Sequence, residues 1–217
     1  MNNAFELTIN AIPETLYMVF ASALISVIIG LPLGIGLYIV GSKGLKPIKP
    51  VYIILDWIVN IFRSLPFVIL MMLVFPVTRL LVGKIIGTTA AIVPLTISAA
   101  PFVARLIEGN LNEIDLGIVE AAKSMGSTKY QIIKNVLLPE SLPSIINSIT
   151  ITIINLVSYS AMAGLLGGGG LGDIANRYGY QQRRFDILFV SVICIIILVQ
   201  LIQVIGTSIA KKINKRR

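Results

Sequence analysis

The constraint that dominates this chain is a set of long runs without a single charge. Residues 15–42, 85–104, 141–172 and 187–210 each lack Asp, Glu, Lys and Arg. Crossing the hydrocarbon core of a bilayer as a helix takes roughly 20 apolar residues. Only 13% of the 217 residues are charged and 56% are hydrophobic, against about 25% charged in soluble domains. The sequence therefore predicts an all-α integral membrane bundle of five transmembrane helices, at about 15–42, 51–75, 85–104, 141–164 and 187–210. Residues 1–217 read as one membrane domain, with no internal repeat and no low-complexity tract. The second span is the least clean, because Asp56 and Arg63 interrupt it. Seven residues apart, they lie near one helical face, either held structurally or touching substrate. Gly30, Pro32, Gly34 and Gly36 in the first span suit a kink or a close helix contact. Pro94 and Pro101 in the third suit a packed position where neighbours re-satisfy the backbone.

The formal charge of +8 would suggest nucleic acid in a soluble protein. Here the basic residues cluster at the ends of apolar runs, where topology and anionic lipid account for them, so no nucleic-acid partner is expected. With the N-terminus outside, the inner segments hold Lys43, Lys46, Lys49, Arg105, Lys123, Lys129, Lys134, Lys211, Lys212, Lys215, Arg216 and Arg217. The outer ones hold Arg79, Lys84, Arg177, Arg183 and Arg184. Twelve against five predicts an outer N-terminus and a cytoplasmic C-terminus. The first lysine is Lys43, so the first run lacks a signal peptide's positive start and is expected to stay as an anchor. The lone Cys194 excludes an internal disulfide and reads as a small buried hydrophobe. With no histidine, histidine acid–base catalysis is excluded; no metal site, catalytic residue or cofactor is expected in this chain.

The run 141–172 is uncharged yet polar, with Asn147, Ser148, Thr150, Thr152, Asn155, Ser158, Tyr159 and Ser160. Two readings fit. It lines a passage, with Asn155, Ser158, Tyr159 and Met162 as candidates and Met162 as a gate; or its hydroxyls bond back to the helix and Met162 simply packs. Residues 164–173 (GLLGGGGLGD) cannot be stably helical throughout, since each Gly costs about 1 kcal/mol. They lack the Gly-Lys-Ser/Thr ending of a phosphate loop and read as a close turn at the outer mouth, followed by an outer loop at 177–186.

Residues 105–140 form the longest polar insertion. Glu108, Glu113, Asp115 and Glu120 precede Lys123, Lys129 and Lys134, the pattern of a solvated face. Residues 119–125 predict a helix that Gly126 ends in the left-handed conformation. Ser127 then caps a second helix over 128–136, which Pro139 stops. Ala121 and Ala122 leave little bulk on one turn, so another surface can approach closely. Glu120-Ala121-Ala122, Gly126, Val136 and Leu138-Pro139 resemble the EAA loop of ATP-binding-cassette importer permeases, with Val136 where Ile is usual. The resemblance implies a type I importer permease fold whose coupling helix seats in a separate ATPase. Glu120, Ala121, Ala122, Gly126, Leu138 and Pro139 are the implied coupling residues.

Residues 60–67 (NIFRSLPF), 91–96 (AIVPLT), 159–164 (YSAMAG), 168–172 (GGGLG) and 177–180 (RYGY) resemble permeases of methionine importers over nearly the whole chain. This implies a homodimer in the bacterial inner membrane, two ATPase copies binding ATP and Mg, and an outer substrate-binding lipoprotein. It also implies methionine import by alternating access. ATP closes the ATPases and opens the permease outward, and hydrolysis reverses the step. The chain has no Walker A motif of its own. The same machinery carrying another small solute remains a second reading. An ion-coupled carrier or membrane enzyme is a third. Of a carrier's carboxylates, however, only Asp56 interrupts an apolar span, at its inner end, no inverted repeat is visible, and a clustered acid–base or metal set is absent.

Overall fold

In a computed structural model, which describes residues 2–214, the described residues form helices joined by short turns. The long helices are α1 (Asn2–Val40), α5 (Thr88–Asn112), α8 (Leu138–Leu165) and α10 (Phe185–Asn214). Between them lie α2 (Lys49–Ser64), α3 (Phe67–Leu73), α4 (Phe75–Val82), α6 (Leu116–Ser124), α7 (Lys129–Ile132) and α9 (Gly170–Ile174). Among the described residues, four helices are long and apolar enough to cross a membrane, or five counting the bent pair α2 and α3. Lys215, Arg216 and Arg217 lie outside the described residues.

The bundle is organised on the seam between α1 and α5. A Cβ on Gly30 would stand 2.7 Å from the Ala100 carbonyl oxygen, and one on Gly34 2.5 Å from that of Ala104. Glycines four apart thus bring two backbones together, the device by which helices associate in lipid. Gly36 meets nothing within 4 Å and plays no part in it. Along this seam run two cores. Toward the glycine-rich turn, Met18 and Val19 of α1 meet Met71 of α3, Leu95 of α5 and Leu156 of α8. Toward the opposite end, Tyr38, Ile107 and Leu111 meet Val119, Ala122 and Ile132 of the polar insertion.

Several elements differ from the sequence-based expectation. Residues 51–75 are not one rod: α2 and α3 meet at 105°. Leu65 is extended ahead of Pro66 (φ −80°, ψ 129°), as the residue before a proline prefers. The first helix begins at Asn2 rather than near Thr15, because a polar turn is still good helix. Likewise α5 runs on to Asn112, so Arg105 and Glu108 belong to a packed helix and not to a solvated loop; Glu108 is only 4% exposed. Pro139 does not stop a helix. A π-helical turn, Ile133–Leu137, feeds straight into α8. There the Leu138 N–H donates to the Ile133 carbonyl five residues back, and the widened turn accommodates a proline that has no N–H to give. Residues expected as an open outer loop at 177–186 are partly helical, with a second π turn at Ala175–Gln181.

Because Gly34 has no room for a methyl group, Gly34→Ala is expected to lower stability by about 1–3 kcal/mol, whereas Gly36→Ala stays near wild type. Thermal unfolding in detergent checks this; equal losses at both positions would contradict the seam.

Candidate functional site

The insertion between α5 and α8 builds its surface from short-range chemistry. The Asp115 carboxylate accepts from the Gly117 N–H at 2.8 Å and starts α6. The helix closes in a Schellman turn: the Gly126 N–H donates to Lys123 (2.9 Å) and the Ser127 N–H to Ala122 (3.1 Å). Gly126 has φ +82° with open space around it. Ser127 is consumed by that closure, so the cap of α7 falls one residue later than expected. Thr128 and Gln131 form a reciprocal capping box.

These turns sort the candidate coupling residues. Val119 and Ala122 face inward, buried against Tyr38, Leu111 and Ile132. Glu120 and Ala121 face outward. The two alanines therefore do different work: Ala122 lets α6 lie close on its own bundle, and Ala121 leaves the outer face low. Met125 is 79% exposed and Tyr130 69%, so two large side chains flank that low face on either side of Gly126. Leu138 and Pro139 are half-buried where the segment rejoins α8.

The polarity of α8 divides by face. Ser141, Thr150, Thr152 and Ser160 donate to carbonyls three or four residues back on their own helix, and Ser148 accepts from Asn110. Tyr159 stacks parallel on Phe67 at 4.9 Å and belongs to the core side. Asn147, Ile151, Ser158, Met162 and Leu165 are exposed and Asn155 half-exposed; at helical spacing they make one stripe with no element of the described residues packed over it. The structure thus brings Asn155, Ser158 and Met162 together and separates Tyr159 from them.

At the far end of this stripe the glycine-rich turn is fitted against other backbone. A Cβ on Gly172 would sit 2.3 Å from the Ala161 carbonyl, and one on Gly164 2.4 Å from the Asp173 nitrogen. Glu14 accepts from the Gly170 N–H (2.7 Å) and Thr15 from that of Leu171 (2.9 Å). This turn is thereby pinned to α1.

Sequence reasoning missed a polar cluster between α2 and α5. Arg105 binds Asp56 through one guanidinium nitrogen and Glu108 through another (2.7 Å). Asn60 joins both Asp56 (2.9 Å) and Arg105 (3.1 Å), and the Tyr52 hydroxyl donates to Glu108 (3.0 Å). Asp56 thus pairs with Arg105, while Arg63 is exposed. The signal was present as Tyr52, Asp56 and Asn60 spaced by four, one polar stripe on an apolar helix.

Residues 30–217 match the model of the family described as "Binding-protein-dependent transport system inner membrane component". The chain belongs to this family. It is a multi-pass inner-membrane transport component, not an enzyme, and members of the family work with a binding protein. Among similar proteins, the "Probable D-methionine transport system permease protein MetI" of Vibrio cholerae is 53% identical, covering 97% of this chain and 94% of its own. The "Methionine import system permease protein MetP" of Bacillus subtilis is 46% identical over 95% and 93%. A solved MetNI methionine ABC transporter in inward-facing conformations superposes with a TM-score of 0.93 at 44% identity, over 98% and 99% of the two chains. An amino acid ABC transporter, with a TM-score of 0.79 at 21% identity, shares the fold.

Gly126→Asn is expected to keep the loop, since Asn tolerates the left-handed region, whereas Gly126→Val should lose about 1–2 kcal/mol locally. The yield of ATPase co-purifying with each variant measures this; equal yields would mean the turn does not shape the docking face.

Proposed function

We propose that the chain is the permease subunit of a methionine importer, working as a homodimer with two ATPase subunits that bind ATP and Mg, and fed by an outer binding lipoprotein. The observation that carries this reading is the likeness to the MetNI permease, nearly complete in length and close in both sequence and fold. The excess of basic residues at the loop end supports a cytoplasmic α6–α7 segment and an outer N-terminus.

Two physical features fit the assignment. The uncovered stripe mixes polar Asn147, Asn155 and Ser158 with apolar Ile151, Met162 and Leu165, and its amide and hydroxyl groups are poorly placed against lipid. A second copy related by a two-fold axis normal to the membrane would place two such stripes face to face and enclose a path. Met162, 40% exposed and directly before the glycine-rich turn, is positioned to close that path from both copies with a flexible, apolar side chain. At the other end, the low face at Glu120 and Ala121 between Met125 and Tyr130 offers a cleft-bound knob to the ATPase. Closure of the ATPases would push α6, which joins α5 through only Glu113, Ile114 and Asp115. The helix pair around the path then alternates its opening between the two sides.

The test is reconstitution with the cognate ATPase and lipoprotein, following ATP-dependent accumulation of labelled methionine in liposomes. Uptake chased by unlabelled methionine is expected; accumulation only of another solute would assign the same machinery elsewhere. Glu120→Lys is expected to abolish lipoprotein-stimulated ATP hydrolysis, and retained coupling would remove the docking role of this loop. Met162→Cys should form a disulfide-linked permease dimer on oxidation. A monomer on the gel, with an unchanged resting leak in Met162→Ala, would remove Met162 from the axis.

A further inference from the structure

Among the described residues, the cluster between α2 and α5 is a group of partly buried charges that neither the path nor the coupling face uses. Its anatomy is asymmetric. α2 presents Ile53, Ile54, Trp57, Ile58 and Ile61 at the bundle surface and fully buries only Val59. In hydrocarbon, apolar side chains gain little by leaving lipid for protein, so apolar packing holds this helix weakly. Its polar stripe makes the attachment instead. Tyr52, Asp56 and Asn60 each bond α5, through Glu108 or Arg105. Glu108 is buried, Arg105 and Asp56 are largely so, and breaking one of these bonds leaves a poorly solvated charge unpaired.

The two ends of this attachment differ. On the α5 side, the helix continues for barely two turns beyond Arg105 to Asn112, and three residues later α6 begins. On the α2 side, the chain breaks by 105° at Leu65 and Pro66 before α3 starts. α3 turns away from the cluster and packs on α5 separately, at Leu95, together with Met18 of α1 and Leu156 of α8. The polar bonds therefore tie α2 to the part of α5 that leads into α6, while α2 itself meets α3 only through the bend.

We infer that Tyr52, Asp56, Asn60, Arg105 and Glu108 are positioning residues that make α2 travel with α5 and the coupling helix. The inference rests on the reading of the chain as an ATP-driven importer permease. The cluster stays closed through the transport cycle; it is a strap and not a gate. Removing the guanidinium frees α2 from the stroke, so ATP hydrolysis continues while the movement is lost.

The experiment uses the complete reconstituted importer, with Cys194→Ser to remove the native thiol. Val59 of α2 and Ala104 of α5 share one small buried cluster beside the strap, so Val59→Cys with Ala104→Cys is used to lock the two helices by a disulfide. Uptake by the reduced double variant reports the importer reading by itself. Uptake by the oxidised form within about twofold of the reduced one is the expected result. Loss of about tenfold or more, reversed by reductant, would show that the helices must separate and would overturn the strap. In parallel, Arg105→Gln should lose about tenfold in uptake while ATPase assembly and basal hydrolysis persist, with Arg105→Lys recovering part of it. Wild-type uptake in Arg105→Gln would equally overturn the proposal.

Discussion

The close approach of α1 and α5 is the contact on which the rest of the molecule depends. In lipid there is no hydrophobic gain from pairing two apolar helices, so association relies on dispersion and backbone proximity. Gly30 and Gly34 supply it against the carbonyls of Ala100 and Ala104. With that distance set, α5 is held at the centre of the bundle, where Ala99, Val103 and Ile107 divide between two cores. Its two prolines sit in buried positions, where surrounding helices keep the weakened ladder away from lipid. Ser26 of α1 donates across the same seam to the Thr96 carbonyl.

Three irregularities in the backbone occur where side chains or helix ends absorb them. The glycine-rich turn has its freed N–H groups taken by Glu14 and Thr15. The Pro139 step is absorbed by a π turn, and the Schellman turn after α6 satisfies its own carbonyls. These breaks are also the places where the chain meets other molecules in the functional reading. Regular helix supplies distance and stiffness; the interruptions supply the shaped surfaces at either end.

One copy of the chain is an incomplete object. Its α8 is satisfied internally on the side facing Phe67 and Met18, while the side bearing Asn155, Ser158 and Met162 has nothing over it. Its α6 is finished on the Val119 and Ala122 side and open on the Glu120 and Ala121 side. Both open faces set small or polar residues among exposed apolar ones, and both lie on helices whose other side is packed into an internal core. That combination of a fixed inner face and an uncommitted outer one is what a subunit of a moving assembly requires.

Much of this was legible in the sequence. Uncharged runs of sufficient length determined the helical membrane class, and the spacing from Glu120 to Pro139 located the segment that leaves the bundle. Gly126 announced its turn because φ +82° suits few other residues. Tertiary structure decided which face each residue joined. Hydropathy treats the chain as a line, so it read Arg105 and Glu108 as the start of a loop, although their partners lie 49 and 56 positions away at Asp56 and Tyr52. Pro139 looked like a stop because a sequence does not reveal that the preceding turn can widen. The roles of Ala121 and Ala122, and of Tyr159 and Ser158, separated only when neighbouring helices covered one of each pair, since the 100° between adjacent residues is sufficient to place one inside and one out.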